Sequence, residues 1–238
     1  MLRMILSGGA SIPAIIGYIL STALVIFLTL PVHEYAHART AVKLGDPTPR
    51  YSGRLTLNPF AHIDYMGSLL ILLIGFGWAK PVPVNARNFR NPKGGMAITA
   101  LAGPLSNLVV AFISLLLLHL VAFIWPAYVL NFFGRLVLYL LSYLASINIS
   151  LAVFNLIPIP PLDGSRILTA VLPDRLYYKI MQYEQIIMIV LFVVLFLGFL
   201  NGPLSLLTNA VWNGLDAVAS LPFDLLGRLF SGSRGIAV

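Results

Sequence analysis

Residues 12–37 read IPAIIGYILSTALVIFLTLPVHEYAH, a 21-residue run without charge, Ile12–Val32, leading straight into His33-Glu34-Tyr35-Ala36-His37. A helix rises about 1.5 Å per residue and a bilayer's hydrocarbon core is about 30 Å thick, so such a run crosses it. The helix is expected to continue past the histidines to Leu44, where Gly45 and Asp46-Pro47 stop it. Histidines at i and i+4 share one helical face and can grip a single zinc ion, with the intervening glutamate beside the open coordination position. Ionisable groups at membrane depth are costly and mark function by default. The stretch therefore implies a metal-hydrolase site built into a membrane.

Composition agrees. Of 238 residues, 59% are hydrophobic and 10% charged, against about 25% charged in soluble domains. There is no cysteine, which excludes disulfides and thiolate zinc sites. The net charge of +7 is carried by short loops between apolar runs rather than by one face. It speaks for membrane orientation, not for nucleic acid. The first run is too long, and lacks the small-residue cleavage site, for a removable signal peptide.

Five segments are long enough to span, about 12–32, 96–125, 129–157, 182–200 and 203–221, the last interrupted by Asn209, Asn213 and Asp216. Met66–Trp78 is apolar but short and glycine-containing, which suits a re-entrant segment. Ala79–Val84 carries prolines at alternate positions and is expected to be extended, as an edge strand tolerates. With that layout thirteen basic residues fall on one membrane face, and only Arg3 and Arg135 on the other. The asymmetry predicts a multi-pass cell-membrane protein with its amino terminus outside, its carboxyl terminus in the cytoplasm and its site toward the cytoplasmic side. The expected fold is all-α and polytopic, with five to six transmembrane helices and a re-entrant or extended hairpin element near residues 50–94. One membrane-embedded domain would cover 1–238, with a core at 12–200 and a terminal helix and tail at 203–238.

Two further places put polar residues inside apolar helices. In Asn155-Leu-Ile-Pro-Ile-Pro-Pro-Leu-Asp163-Gly164 three prolines break the helix. Non-helical backbone at that depth must be buried in protein or face a water-filled cavity. The topology puts the break on the membrane face of His37, so Asp163 can complete a His-His-carboxylate site with water in the fourth position. In Gly103-Pro-Leu-Ser-Asn107 the small residues allow close helix approach, and Asn107 can hydrogen-bond across an interface. Asn155 and Asn107 are both candidates for holding a substrate strand or a developing oxyanion, Asn155 the stronger. His62 and Asp64 are expected to anchor the re-entrant segment, and His119 to be a packing or interfacial residue.

The order of these pieces resembles the site-2 protease family of intramembrane zinc metalloproteases. The resemblance lies in His33-Glu34-Tyr-Ala-His37 followed by Asn155-x-x-Pro-x-Pro-x-x-Asp163-Gly164. Gly53–Pro59, Gly77–Val84 and Ala102–Asn107 are similar to its small prokaryotic branch, which lacks PDZ and CBS domains. The resemblance covers about residues 17–170. It implies one zinc ion per chain held by His33, His37 and Asp163, with Glu34 as general base. It also implies a single-span transmembrane substrate, usually pre-trimmed by another protease. Such a substrate must unwind locally, and an extended stretch near Lys80–Asn85 could pair with it. The alternative readings are a divalent-metal transporter using the same cluster and a non-catalytic membrane scaffold.

Overall fold

The computed structural model describes residues 11–74 and 77–232, and helices carry nearly all of it. The first span starts as α1, Ile12–Leu24, passes through a π-helical turn at Val25–Thr29, and continues as α2, Leu30–Lys43. It stops where the sequence predicts, with Leu44 as its C-cap. A π-turn inserts an extra residue into the helix, commonly beside functional sites. Here it lies one turn before His33. A short α3, Thr48–Tyr51, follows, then α4, Tyr65–Ile74.

Ten residues of α4 reach about 15 Å, half a bilayer. A Cβ on Gly67 would collide with the Trp78 carbonyl oxygen, and one on Gly77 with the Gly67 carbonyl. The two ends of the segment therefore touch, and only glycine allows it. Ends this close together are compatible with a re-entrant element.

Two long helices follow, α5, Pro92–Ile124, and α6, Phe132–Asn155, then α7, Asp163–Ile167, after the proline break. The remainder is α8, Asp174–Met181, α9, Glu184–Phe196, and α10, Asn201–Gly232. Among the described residues three helices are long and apolar enough to cross a membrane: Ile12–Lys43, Pro92–Ile124 and Phe132–Asn155. Arg175–Met181 and Glu184–Phe196, bent by 64°, would supply a fourth if they form one broken span. The expected five to six spans are thus matched only in part, because α10 dilutes its apolar face with Asn209, Asn213 and Asp216.

Among the described residues no strand forms. Ala79–Val84 is irregular rather than a ladder-forming edge. Two of its amides go elsewhere, Lys80 N–H donating to the His62 carbonyl at 2.8 Å and Val82 N–H to Glu34 Oε2 at 3.0 Å. With prolines at 81 and 83, little is left to build a sheet.

The core is a seam between the first span, α5 and α6. Val25, Ile26, Leu30, Ile71 and Leu144 form one buried cluster. Ala111, Ile149 and Val153 form a second, packed by Leu204, Val211, Trp212 and Leu215 of α10. Buried hydroxyls and amides run through the same seam. Ser21 and Thr22 donate to the Tyr18 carbonyl, and Asn148 Nδ2 donates to the Leu144 carbonyl at 2.8 Å. Such bonds let polar residues pack at membrane depth.

A candidate metal centre between three helices

The site is built where α2, α5 and α7 meet. His33 and His37 lie one turn apart on α2, both less than a tenth exposed, and Asp163 opens α7 after the proline break. Their Nε2 atoms are 3.0 Å apart, and Asp163 Oδ2 is 3.3 Å from one and 3.4 Å from the other. Among the described residues this is the one group of three or more His, Cys, Asp or Glu side chains that could hold a metal.

The opposite nitrogens explain the ring orientations. His37 Nδ1 lies 2.7 Å from the Thr99 carbonyl oxygen, which can only accept, so Nδ1 carries the proton. His33 Nδ1 faces Asn107 Oδ1 at 3.3 Å, the same arrangement more loosely made. Both Nε2 lone pairs then point at Asp163, and three electron-pair donors converge. That is repulsive unless a proton or a metal cation sits among them. Tetrahedral zinc with ligands at about 2.0–2.1 Å places its donor atoms about 3.3 Å apart, which the two distances to Asp163 match and the 3.0 Å between the nitrogens approaches. The donor set fits zinc, and the outer hydrogen bonds fit the usual support of metal-binding histidines.

Helix α5 forms the cradle. Thr99, Gly103 and Asn107 recur every four residues and so share one face. A Cβ on Gly103 would stand 2.5 Å from His33 Cε1 and nearer still to His37 Nε2, so this face must be bare there. The sequence marked Gly103 and Asn107 as packing residues but not as the cradle. The spacing of four in an apolar helix was the available signal. Thr99 and Val82 contribute backbone atoms, for which residue type gives none.

Glu34, 8% exposed, stands beside the histidines, and the Val82 amide fixes one of its carboxylate oxygens. Asn155 is half-buried in the wall of a cavity of about 1010 Å³ that His33, Glu34 and Asp163 also line. The cavity reaches from His33, Glu34 and Asp163 to Trp78, Phe154, Met188 and Phe192. Asn107 lines it too, and with Oδ1 turned to His33 its Nδ2 is buried without a partner. The loop residues anchor as expected, Asp64 Oδ1 accepting from Gly67 N–H at 2.8 Å and fully buried His62 hydrogen-bonding the Thr56 carbonyl at 2.8 Å. His119 is not a lone packing residue, since Asp216 of α10 lies 2.8 Å from its Nε2.

The apolar helices and the His-His-carboxylate donor set fit a membrane metalloprotease that uses zinc. The comparisons agree. The profile of Peptidase family M50 matches residues 131–199. The chain is 40% identical over 213 residues to YwhC of Bacillus subtilis, provisionally named a zinc metalloprotease, covering 90% of this chain and 92% of that one. Two proteins provisionally named zinc metalloprotease Rip2 are also similar. That of Mycolicibacterium smegmatis is 34% identical over 143 residues, 58% of this chain and 51% of its own. That of Mycobacterium tuberculosis is 28% identical over 179 residues, 74% and 66% respectively. No solved structure matches the chain. The chain belongs to peptidase family M50, the site-2 proteases. Neither these relatives nor the single cluster favours a transporter, which would need further sites along a path.

Proposed function

We propose that this chain cleaves transmembrane segments inside the bilayer, with His33, His37 and Asp163 as the zinc ligands and Glu34 as the general base. The observation that carries the reading is the convergence of three donor atoms within 4.8 Å beside a buried glutamate, at the end of a long apolar cavity. Zinc held there would acidify a water molecule and polarise a carbonyl group. Glu34 would take a proton from the attacking water and return it to the departing amine. Its Oε2 accepts the Val82 amide, which leaves Oε1 without a backbone donor and available for that work. The unpartnered Asn107 Nδ2 is suited to donate to a substrate carbonyl, and Asn155 to hold the chain further along the cavity wall.

The cavity's size and its apolar lining suit a length of peptide more than a small metabolite. A helical peptide bond is shielded by its own backbone, so the substrate would enter locally unwound. A single-span protein already shortened by another protease fits that requirement. The excess of basic residues on one side supports an amino terminus outside and a site toward the cytoplasm.

The test is cleavage of a panel of single-span membrane peptides by purified protein, wild type beside Glu34→Gln, with zinc quantified. Expected is cleavage by the wild type only and about one zinc in both. General acid–base groups contribute about 10²–10⁴ in rate, so Glu34→Gln turning over at the wild-type rate would refute Glu34 as base.

A further inference from the structure

The Glu34 carboxylate is held by a backbone amide that lies in a proline-flanked segment, and that segment is itself tied down at both ends. At its start, Lys80 N–H donates to the His62 carbonyl at 2.8 Å, and the Arg54 guanidinium bridges the Ala61 and Lys80 carbonyls. At its end, Asn85 N–H donates to Asp46 Oδ2 at 2.7 Å, and Asn88 Nδ2 to Asp46 Oδ1 at 2.7 Å. Asp46 also accepts from the Thr48 amide and hydroxyl, at 3.1 and 2.5 Å, and is fully buried. It follows directly on the C-terminal end of α2, the helix that carries His33, Glu34 and His37.

We propose that Asp46 is a positioning residue for Glu34, acting through the backbone of residues 82–85. The inference rests on Glu34 being the general base. Pro81 and Pro83 fix φ on both sides of Val82, so the segment transmits a displacement of Asn85 rather than absorbing it. The helix that presents Glu34 therefore also carries, at its own end, the carboxylate that sets the amide aimed at Glu34. If the Val82 N–H shifts, Glu34 Oε2 loses its donor and the carboxylate is free to rotate away from the substrate. Asp46 would then be more than a helix stop, because a stop has no effect on a carboxylate three turns earlier.

The test uses the full chain. Zinc-loaded wild type, Asp46→Ala, Asp46→Asn and a Val82 amide-to-ester variant are compared on a cleaved single-span peptide, with Glu34→Gln as control. In parallel the Val82 amide proton shift is read in metal-free, ¹⁵N-valine-labelled protein, which needs no substrate. Misplacing a catalytic group by about 1 Å costs on the order of 10²-fold. Asp46→Ala and the ester are each expected to lower kcat about ten- to a hundredfold with KM and zinc content unchanged. Asp46→Asn, which keeps one acceptor oxygen, is expected to recover part of the loss. Combining Asp46→Ala with the ester should add little, and Asp46→Ala should move the Val82 signal. An unmoved Val82 signal, or a fall in kcat that only tracks the loss of folded protein, overturns the proposal. An inactive Glu34→Gln beside a fully active ester overturns it alone. An active Glu34→Gln overturns the general-base reading as well.

Discussion

His37 Nδ1 and the Thr99 carbonyl oxygen stand 2.7 Å apart, which ties the second histidine of α2 to the backbone of α5. One face of α5 thus decides which nitrogen of His37 is available to a metal. The same face is bare at Gly103 so that both rings fit.

Gly103→Ala pushes a methyl group into both imidazoles. Disturbing the partners behind metal-binding histidines costs about 10–100-fold in affinity. Chelator competition should show a zinc affinity lower by that order, with helix content by circular dichroism unchanged. Wild-type affinity would mean that α5 can retreat without turning the rings.

Asp163→Ala removes a donor rather than its support. Zinc retention after dialysis should fall further than in Gly103→Ala, by more than the about 10–100-fold loss expected of an outer partner. Full zinc occupancy in Asp163→Ala would remove it from the ligand set.

Asp46 sets an acid limit. Burial raises its proton affinity, but the hydrogen bonds from Thr48, Asn88 and the Asn85 amide outweigh that, and its pKa lies below the ordinary 3.8. A carboxylate with a depressed folded pKa contributes stability above its unfolded value and loses it as pH falls through the folded one. Wild type and Asp46→Asn should therefore differ in thermal midpoint at neutral pH and converge below pH 3.8. A difference that persists undiminished at the lowest pH would show that charge is not what Asp46 contributes.

His119 and Asp216 join α5 to α10 at 2.8 Å, with Phe223 stacked on the imidazole at 6.3 Å. Interhelical hydrogen bonds in membranes are worth about 0.6 kcal/mol and at most about 1.7. His119→Leu should lower the unfolding free energy by that order and leave zinc content and kcat alone. A loss of zinc would connect this pair to the site.

The sequence exposed those parts of the fold and site that are local. His33, Glu34 and His37 are legible because a spacing of four puts two rings on one face. Asp163 became legible through the proline break that carries it to the same membrane side. Met66–Trp78 is legible as too short to cross, and the helix it forms, Tyr65–Ile74, is indeed only ten residues long. What escaped was carried by backbone atoms or by geometry between helices. The Thr99 carbonyl and the Val82 amide could belong to any residue type. Prolines at alternate positions suggested an edge strand at 79–84, yet the available amides there turn toward His62 and Glu34 instead. Asn107's contact with His33 joins residues 74 positions apart, which no local pattern reveals. Asp216 weakened the last apparent span because its partner, His119, lies 97 residues earlier.

The donors of the metal centre come from α2 and from α7, with α5 held between their supports. On the proposed ligand set, one ion links the first span to the break after the third long helix. This chain has no cysteine, so the ion would be its strongest cross-link between distant segments. Binding free energy of this kind is also folding free energy. Zinc would then be an assembly factor as much as a reagent, fastening the loop-borne α7 to helices that the apolar core already holds together.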